Sequence, residues 1–278
     1  MNIPKIWEHE GREVQGKSGT LQLLAWGWST TDRGEAKRRA AEKLERMANR
    51  IREGLELPHG YAYGERPLRE EIVREFGGDG EVAAVVTRNG YGCLVLNTER
   101  VLFVDVDLPA SRRQSWFGKL FARKPAVEDE TLERIRAGLR DASGSSFRVY
   151  RTAGGFRLLG TERTYQPGST NSEEVMTAVG ADPAFVQLCR AQKSFRARLT
   201  PKPWRCGAEK PPNRYPRQGE EEQRRFSAWL ADYEAKTRTS ATCRLVEEVG
   251  SGRVCDEARP ILALHDEVAR VGAALALA

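Results

Sequence analysis

Hydrophobic and polar positions alternate with period two along several stretches of the chain, most cleanly in VLFVDVDLP at residues 101–109. Successive strand side chains point to opposite faces. Leu102, Val104, Val106 and Leu108 therefore form one aliphatic face, and Phe103, Asp105 and Asp107 share the other. Two carboxylates on one strand face lie roughly 6–7 Å apart at Cα. Carboxylates held that close repel, and burying them unpaired is costly. Their compensation is either a divalent cation, which takes hard oxygen ligands, or an arginine.

Other stretches show the same alternation. QLLAWGWST at residues 22–30 predicts a strand with Trp26 and Trp28 on one face. EVAAVVT and YGCLVLN flank Asn89-Gly90, a hairpin signal, and feed the Asp-bearing strand. FRVYRTAGGFRLLGTE, residues 147–162, predicts two arms around Gly154-Gly155, a pair that tolerates the positive φ of a tight turn. Those arms are expected to bring Arg148, Arg151 and Arg157 together. FRARLT, residues 195–200, places Arg196 and Arg198 on one strand face, and ATCRLVEEVG reads as a further strand.

Helical spacing appears elsewhere. Behind a candidate N-cap at Asp32, Ala36, Ala40, Leu44, Met47 and Ile51 form an apolar stripe. Its other face is basic, but interleaved Glu35, Glu42 and Glu45 make it a solvated, self-paired face rather than a nucleic-acid surface. Helices are expected around residues 70–76, 127–139 with Leu132, Ile135 and Leu139 inward, 172–179, 183–192, along EEEQRRFSAWLADYEA, and from about 260 to the end. Residues 111–125 follow neither period and mix Arg112, Arg113, Lys119, Arg123 and Lys124 with Trp116, Phe117 and Phe121. They read as an exposed loop or as a basic-aromatic element that grips a nucleic-acid backbone. The whole pattern predicts one α+β domain over residues 1–278, with a mixed or antiparallel sheet and flanking helices.

Composition narrows the classes. Hydrophobic residues make up 40% of the 278, enough for a real core, and a formal charge of +6 permits anionic partners without requiring them. Five cysteines without a CxxC, and three scattered histidines, argue against a disulfide framework and a structural zinc site. No run approaches the ~18 apolar residues of a membrane span, and the start lacks a signal peptide, so a reduced, cytoplasmic, non-membrane protein is expected. Charge is uneven: between residues 190 and 217 nine residues are Lys or Arg and only Glu209 is acidic. Within that stretch Trp204, between Pro203 and Arg205, is the best candidate for stacking on a base.

Asp105 and Asp107, the Arg151–Arg157 hairpin and the Arg196–Lys202 segment together have the residue types that a nucleoside triphosphate with Mg²⁺ or Mn²⁺ requires. Their order resembles the archaeo-eukaryotic primase (primase-polymerase) superfamily. VLFVDVDLP resembles its Asp-x-Asp strand, YRTAGGFRLLG its small-residue hairpin, with Arg157 where that family carries a His, and SFRARLTPKPWR its Arg-Leu-Pro region. The resemblance covers roughly residues 81–205 as an RRM-like core and leaves 206–278 as a helical C-terminal extension. It implies Asp105 and Asp107 as metal ligands with Asp182 as a third, and Arg157 in a catalytic position. It also implies Arg151, Arg157, Arg196, Arg198, Lys202 and Arg205 as nucleotide and phosphate ligands. Arginine cannot act as a neutral imidazole, so altered chemistry is expected even on that scaffold. Two other classes fit the same residues: a non-catalytic binder of RNA or DNA backbone using residues 190–217, and a metal-dependent phosphodiesterase or nuclease. Alternatively, Asp105 and Asp107 form an internal ion network with Arg151 and Arg157. On the nucleotidyltransferase reading, removing either Asp abolishes activity and leaves the fold intact.

Overall fold

A computed structural model describes residues 1–16, 19–57, 67–78, 81–109, 125–141 and 145–278. The basic-aromatic segment expected at 111–125 lies almost entirely outside them. In chain order the elements begin with a hairpin, β1 (Ile6–Gly16) and β2 (Gly19–Ser29), followed by α1 (Arg33–Arg52). Asp32 caps α1 by accepting from the Glu35 amide, and Ala36, Ala40, Leu44 and Ala48 are its buried face. Leu44 and Ala48 pack on Val14, Leu23 and Ala25 of the hairpin as a small separate core. The partner strand β1 was not anticipated, because IWEHEGREVQG has too few apolar residues to show a period.

Next come β3 (Glu71–Gly78), β4 (Glu81–Arg88), β5 (Leu94–Thr98) and β6 (Phe103–Asp107), then α2 (Pro125–Asp141), β7 (Phe147–Thr152) and β8 (Gly155–Gly160). The helix expected at 70–76 is thus a strand. Its register shifts at Ile72/Arg74 and Phe76/Gly77, and such bulges erase the period-two signature. The chain continues with α3 (Thr170–Val179), α4 (Pro183–Gln192), β9 (Phe195–Arg198), α5 (Gly219–Thr237), β10 (Ser240–Ala241), β11 (Cys243–Val249), α6 (Ala258–Val268) and β12 (Ala276–Leu277). The last helix stops at 268, where Arg270 takes a φ of 57°, and the tail pairs with β10 instead of remaining helical. Residues 206–278 are accordingly not only helical: β11 is an edge strand of a main sheet.

The fold is α+β. Two four-stranded antiparallel sheets, ordered β3-β4-β5-β9 and β11-β7-β8-β6, form its centre. β6 is an edge strand rather than a central one, and it lies beside β9, the edge of the other sheet. Phe103, Val104, Val106, Ile135, Leu158 and Phe195 belong to the core that joins the two sheets and the helices. All five cysteines are free, and no helix among the described residues is long and apolar enough to cross a membrane.

Candidate functional site

The seam between β6 and β9 collects most of the candidate residues. On β6 Asp105 faces Arg157 of β8 and Asp107 faces Gly155. Arg157, only 1% exposed, donates from Nε to Asp105 Oδ1 (2.8 Å) and from Nη2 to Oδ2 (3.2 Å). Its Nη1 donates to the Arg198 carbonyl (2.7 Å), which ties β8 to β9. Burial opposes the Arg157 charge, but Asp105 holds its pKa above the ordinary arginine value. Arg157 thus compensates the Asp105 charge. Arg157 is a buried tie between the sheets, not a group facing a catalytic opening.

Asp107 is different. It is exposed, and its pKa is raised by burial of the carboxyl, then by Asp105 and Asp182, with Lys202 and Arg198 acting in the opposite sense. Asp182 caps α4 by accepting from the Ala184 amide (3.0 Å). Asp107 therefore lies within the field of both other carboxylates, although among the described residues no three His, Cys, Asp or Glu side chains could hold a metal ion as they stand.

Facing them are Arg198, Lys202 and Arg205. Arg198 is partly buried and its Nε has no hydrogen-bond partner among the described residues. Burial lowers its pKa, and the Arg157 charge lowers it further. Lys202 is lowered by burial and then by Arg198 and Arg205. Arg205 lies over the β7–β8 turn: a methyl built on Gly154 would stand 3.3 Å from Arg205 Nη2 and 4.0 Å from Asp107 Oδ1. The turn glycines have a role other than the one expected of them. Neither takes a positive φ; a Cβ on Gly155 would lie 2.1 Å from the Val106 carbonyl, so this position requires smallness where β8 meets β6.

Two expected phosphate ligands are elsewhere. Arg151 lies on the opposite sheet face from Arg157, because Arg151 opposes Phe156 whereas Tyr150 opposes Arg157. It pairs with Glu128 (2.5 Å) and donates to the Gly155 carbonyl (2.8 Å). Arg148, the third arginine of that hairpin, pairs with Glu248 and Asp266. Arg196 shares a strand with Arg198 but is buried against Glu70, at 2.8 and 2.9 Å, and Asn97, at 2.6 Å. The internal-network reading thus holds for Asp105 with Arg157, while Arg151 is neutralised by a different acid and Asp107 pairs with no arginine among the described residues.

Supports not anticipated from sequence come from α5. Tyr233 Oη donates to the Pro201 carbonyl (2.6 Å) and lies 2.8 Å from Thr200 Oγ1. Trp229 stacks on Tyr233 at 5.0 Å, and its Nε1 donates to the Glu209 carbonyl (2.9 Å). Trp229 also fills the space beside Gly92, where a Cβ would lie 2.1 Å from its Cη2. One helix therefore steadies both the Pro201–Glu209 segment and the β4–β5 turn. A second constellation, Cys243 Sγ 3.7 Å from His265 Nε2 and His265 Nδ1 2.8 Å from Asp266 Oδ1, has the order of a nucleophilic triad. Both Cys243 and His265 are 0% exposed, and burial pushes the thiol up to about 12, so this cluster packs the core and meets no substrate. No family model, curated protein or solved structure matches the chain.

Proposed function

We propose that the β6–β9 seam binds a nucleoside triphosphate with Mg²⁺ or Mn²⁺, in a nucleotidyltransferase of the primase kind. The observation that carries this reading is the trio Arg198, Lys202 and Arg205, which faces the exposed Asp107 and has no ion pair among the described residues. Arginine and lysine gathered without ion-pair partners are suited to phosphate oxygens. Mg²⁺ is usually held by one or two carboxylates plus substrate phosphates and water, so a complete protein cage is not required. Asp107 would be its main ligand, with Asp182 and the outer lone pairs of Asp105 beside it. Bound there, the cation would neutralise phosphate charge and polarise the phosphoryl group. Arg198, Lys202 and Arg205 would orient the phosphate chain, and Arg157 would keep β6, β8 and β9 in register beneath it.

Calorimetric titration with Mn²⁺ and then ATP tests this. Wild type should bind ATP more tightly with Mn²⁺ than in EDTA. Asp107→Asn should lose that enhancement, and Lys202→Gln should weaken ATP about tenfold or more. ATP binding that is indifferent to Mn²⁺ and to Asp107→Asn would leave a metal-free phosphate site, such as a nucleic-acid backbone would use. No ATP binding in wild type would overturn the reading.

A further inference from the structure

Tyr91 and Trp204 are each 48% exposed, large aromatic rings left at the surface beside the cation trio. We infer that they form a stacking platform for the base of the nucleotide whose phosphates the trio holds; the inference rests on the phosphate site proposed above. The rings meet edge to face, with centroids 5.3 Å apart and planes at 87°. Lys202 Nζ lies over the Trp204 ring, 5.5 Å from its centroid, so a phosphate on that ammonium and a base on the remaining exposed surface of the ring are within the span of one nucleotide.

Both rings stand on stiff turns. Trp204 is the middle of a 3₁₀ turn, Pro203–Arg205, whose Pro203 is buried. The turn closes through Arg205 N to the Lys202 carbonyl (2.8 Å) and Ala208 N to the Pro203 carbonyl (2.9 Å). Tyr91 is fixed by Asn89, whose side-chain oxygen accepts from the amides of Tyr91 (2.9 Å) and Cys93 (3.1 Å). Gly92 follows at φ +81° with Trp229 against it, so the tip has little freedom to fold Tyr91 inward. Mutual packing accounts for the edge contact but not for the exposure that remains, whereas a base covering that surface would use it. Every base has a π-face, so such a platform favours nucleotides over bare polyphosphate with little regard to base identity.

The test compares ATP with inorganic tripolyphosphate, each with Mn²⁺, by calorimetry on the full chain, with thermal melts confirming that every variant is folded. Wild type should bind ATP about tenfold more tightly than tripolyphosphate. Trp204→Ala should bring ATP down to the tripolyphosphate level without changing tripolyphosphate itself. Trp204→Phe should recover most of the difference, and Tyr91→Ala should lose part of it. Equal wild-type affinities, or a Trp204→Ala variant that weakens both ligands alike, would overturn the platform and leave the phosphate site standing. Failure of both ligands to bind would remove the phosphate site and the platform with it.

Discussion

Two parts of the chain are dense in positive charge, and they end in opposite electrostatic states. On α1 the acids are close at hand: Arg38 pairs with Glu42 and Arg39 with Glu35 one turn apart, while Arg33 and Lys37 reach Glu8 and Glu10 across the hairpin. Arg12 and Arg52 share Glu45. Such exposed pairs add little stability, but they offset much of the field that a nucleic acid would feel. In residues 190–217 the neutralising acids come from far along the chain. Arg190 takes Glu173, Arg196 takes Glu70, and Arg217 takes Glu71 while lying 3.3 Å over the Phe226 ring. Six of the nine have no ion pair among the described residues: Lys193, Lys210 and Arg214 are exposed singly along the stretch, whereas Arg198, Lys202 and Arg205 gather beside Asp107. Charge density in a sequence measures supply; free potential depends on which acids the fold returns to it.

The largest effect that sharpens this contrast belongs to the fully neutralised case. Asp105→Ala would strand the buried Arg157 charge and should destabilise the fold by about 3–5 kcal/mol, read as a lowered denaturation midpoint. Loss of function in that variant would therefore say nothing about a metal, contrary to the expectation that removing either Asp leaves the fold intact. A midpoint shift below about 1 kcal/mol would mean that Arg157 is held by its carbonyl bond alone.

The contrast between the two basic regions breaks or holds on a pair of variants. Arg198→Gln and Lys202→Gln should each weaken triphosphate binding by roughly ten- to hundredfold, the worth of a charge-assisted hydrogen bond. The double variant Lys37→Gln/Arg38→Gln on α1 should leave it unchanged and move stability by less than about 0.5 kcal/mol. Equal losses from both would show that net charge, not a site, draws the anion. Next in size, Tyr233→Phe removes the hydroxyl that braces Pro201. It should destabilise by about 1 kcal/mol and weaken triphosphate binding a few-fold by loosening the segment that carries Lys202 and Arg205. An affinity unchanged within error would show that α5 supports the fold but not the site.

How much of this was legible in the sequence follows from the range of each interaction. The β6 alternation, the Asp32 cap, the limits of α4 and the self-paired face of α1 depend on neighbours within a few residues, and the chain displays them. The misplacement of Arg151 was avoidable: a two-residue turn pairs odd positions on one arm with even positions on the other, so Arg148 rather than Arg151 shares the face of Arg157. The removal of Arg196 by Glu70, 126 residues away, was not legible. Nor was the seam itself, since β6 and β9 are edges of different sheets and no local pattern declares that two edges will meet. Tyr91 left only a faint signal, an aromatic at the tip of an Asn-Gly-Tyr-Gly turn, where a ring has no core to enter.

The smallest predicted effect concerns Asp107, the seam carboxylate without an arginine partner among the described residues. Burial, Asp105 and Asp182 raise the pKa of Asp107, so the folded state binds its proton more tightly than the unfolded chain does. The stability this contributes is present at low pH and is lost as pH rises through the raised value, leaving a charged Asp107 unfavourable at neutrality. Asp107→Asn, which cannot ionise, should therefore be more stable than wild type at pH 7. Solvent screening at this exposed position limits the gain to a few tenths of a kcal/mol, about 0.5 at most. The gain should fade as the pH falls below the ordinary carboxylate range. Cation binding should run the other way, since only the ionised carboxylate is a ligand, and should strengthen with pH later than an unperturbed aspartate would allow. Melts and Mn²⁺ titrations across the same pH series read both trends. A variant less stable than wild type at neutral pH would mean that Lys202 and Arg198 already neutralise Asp107, and the two basic regions would then differ in degree rather than in kind.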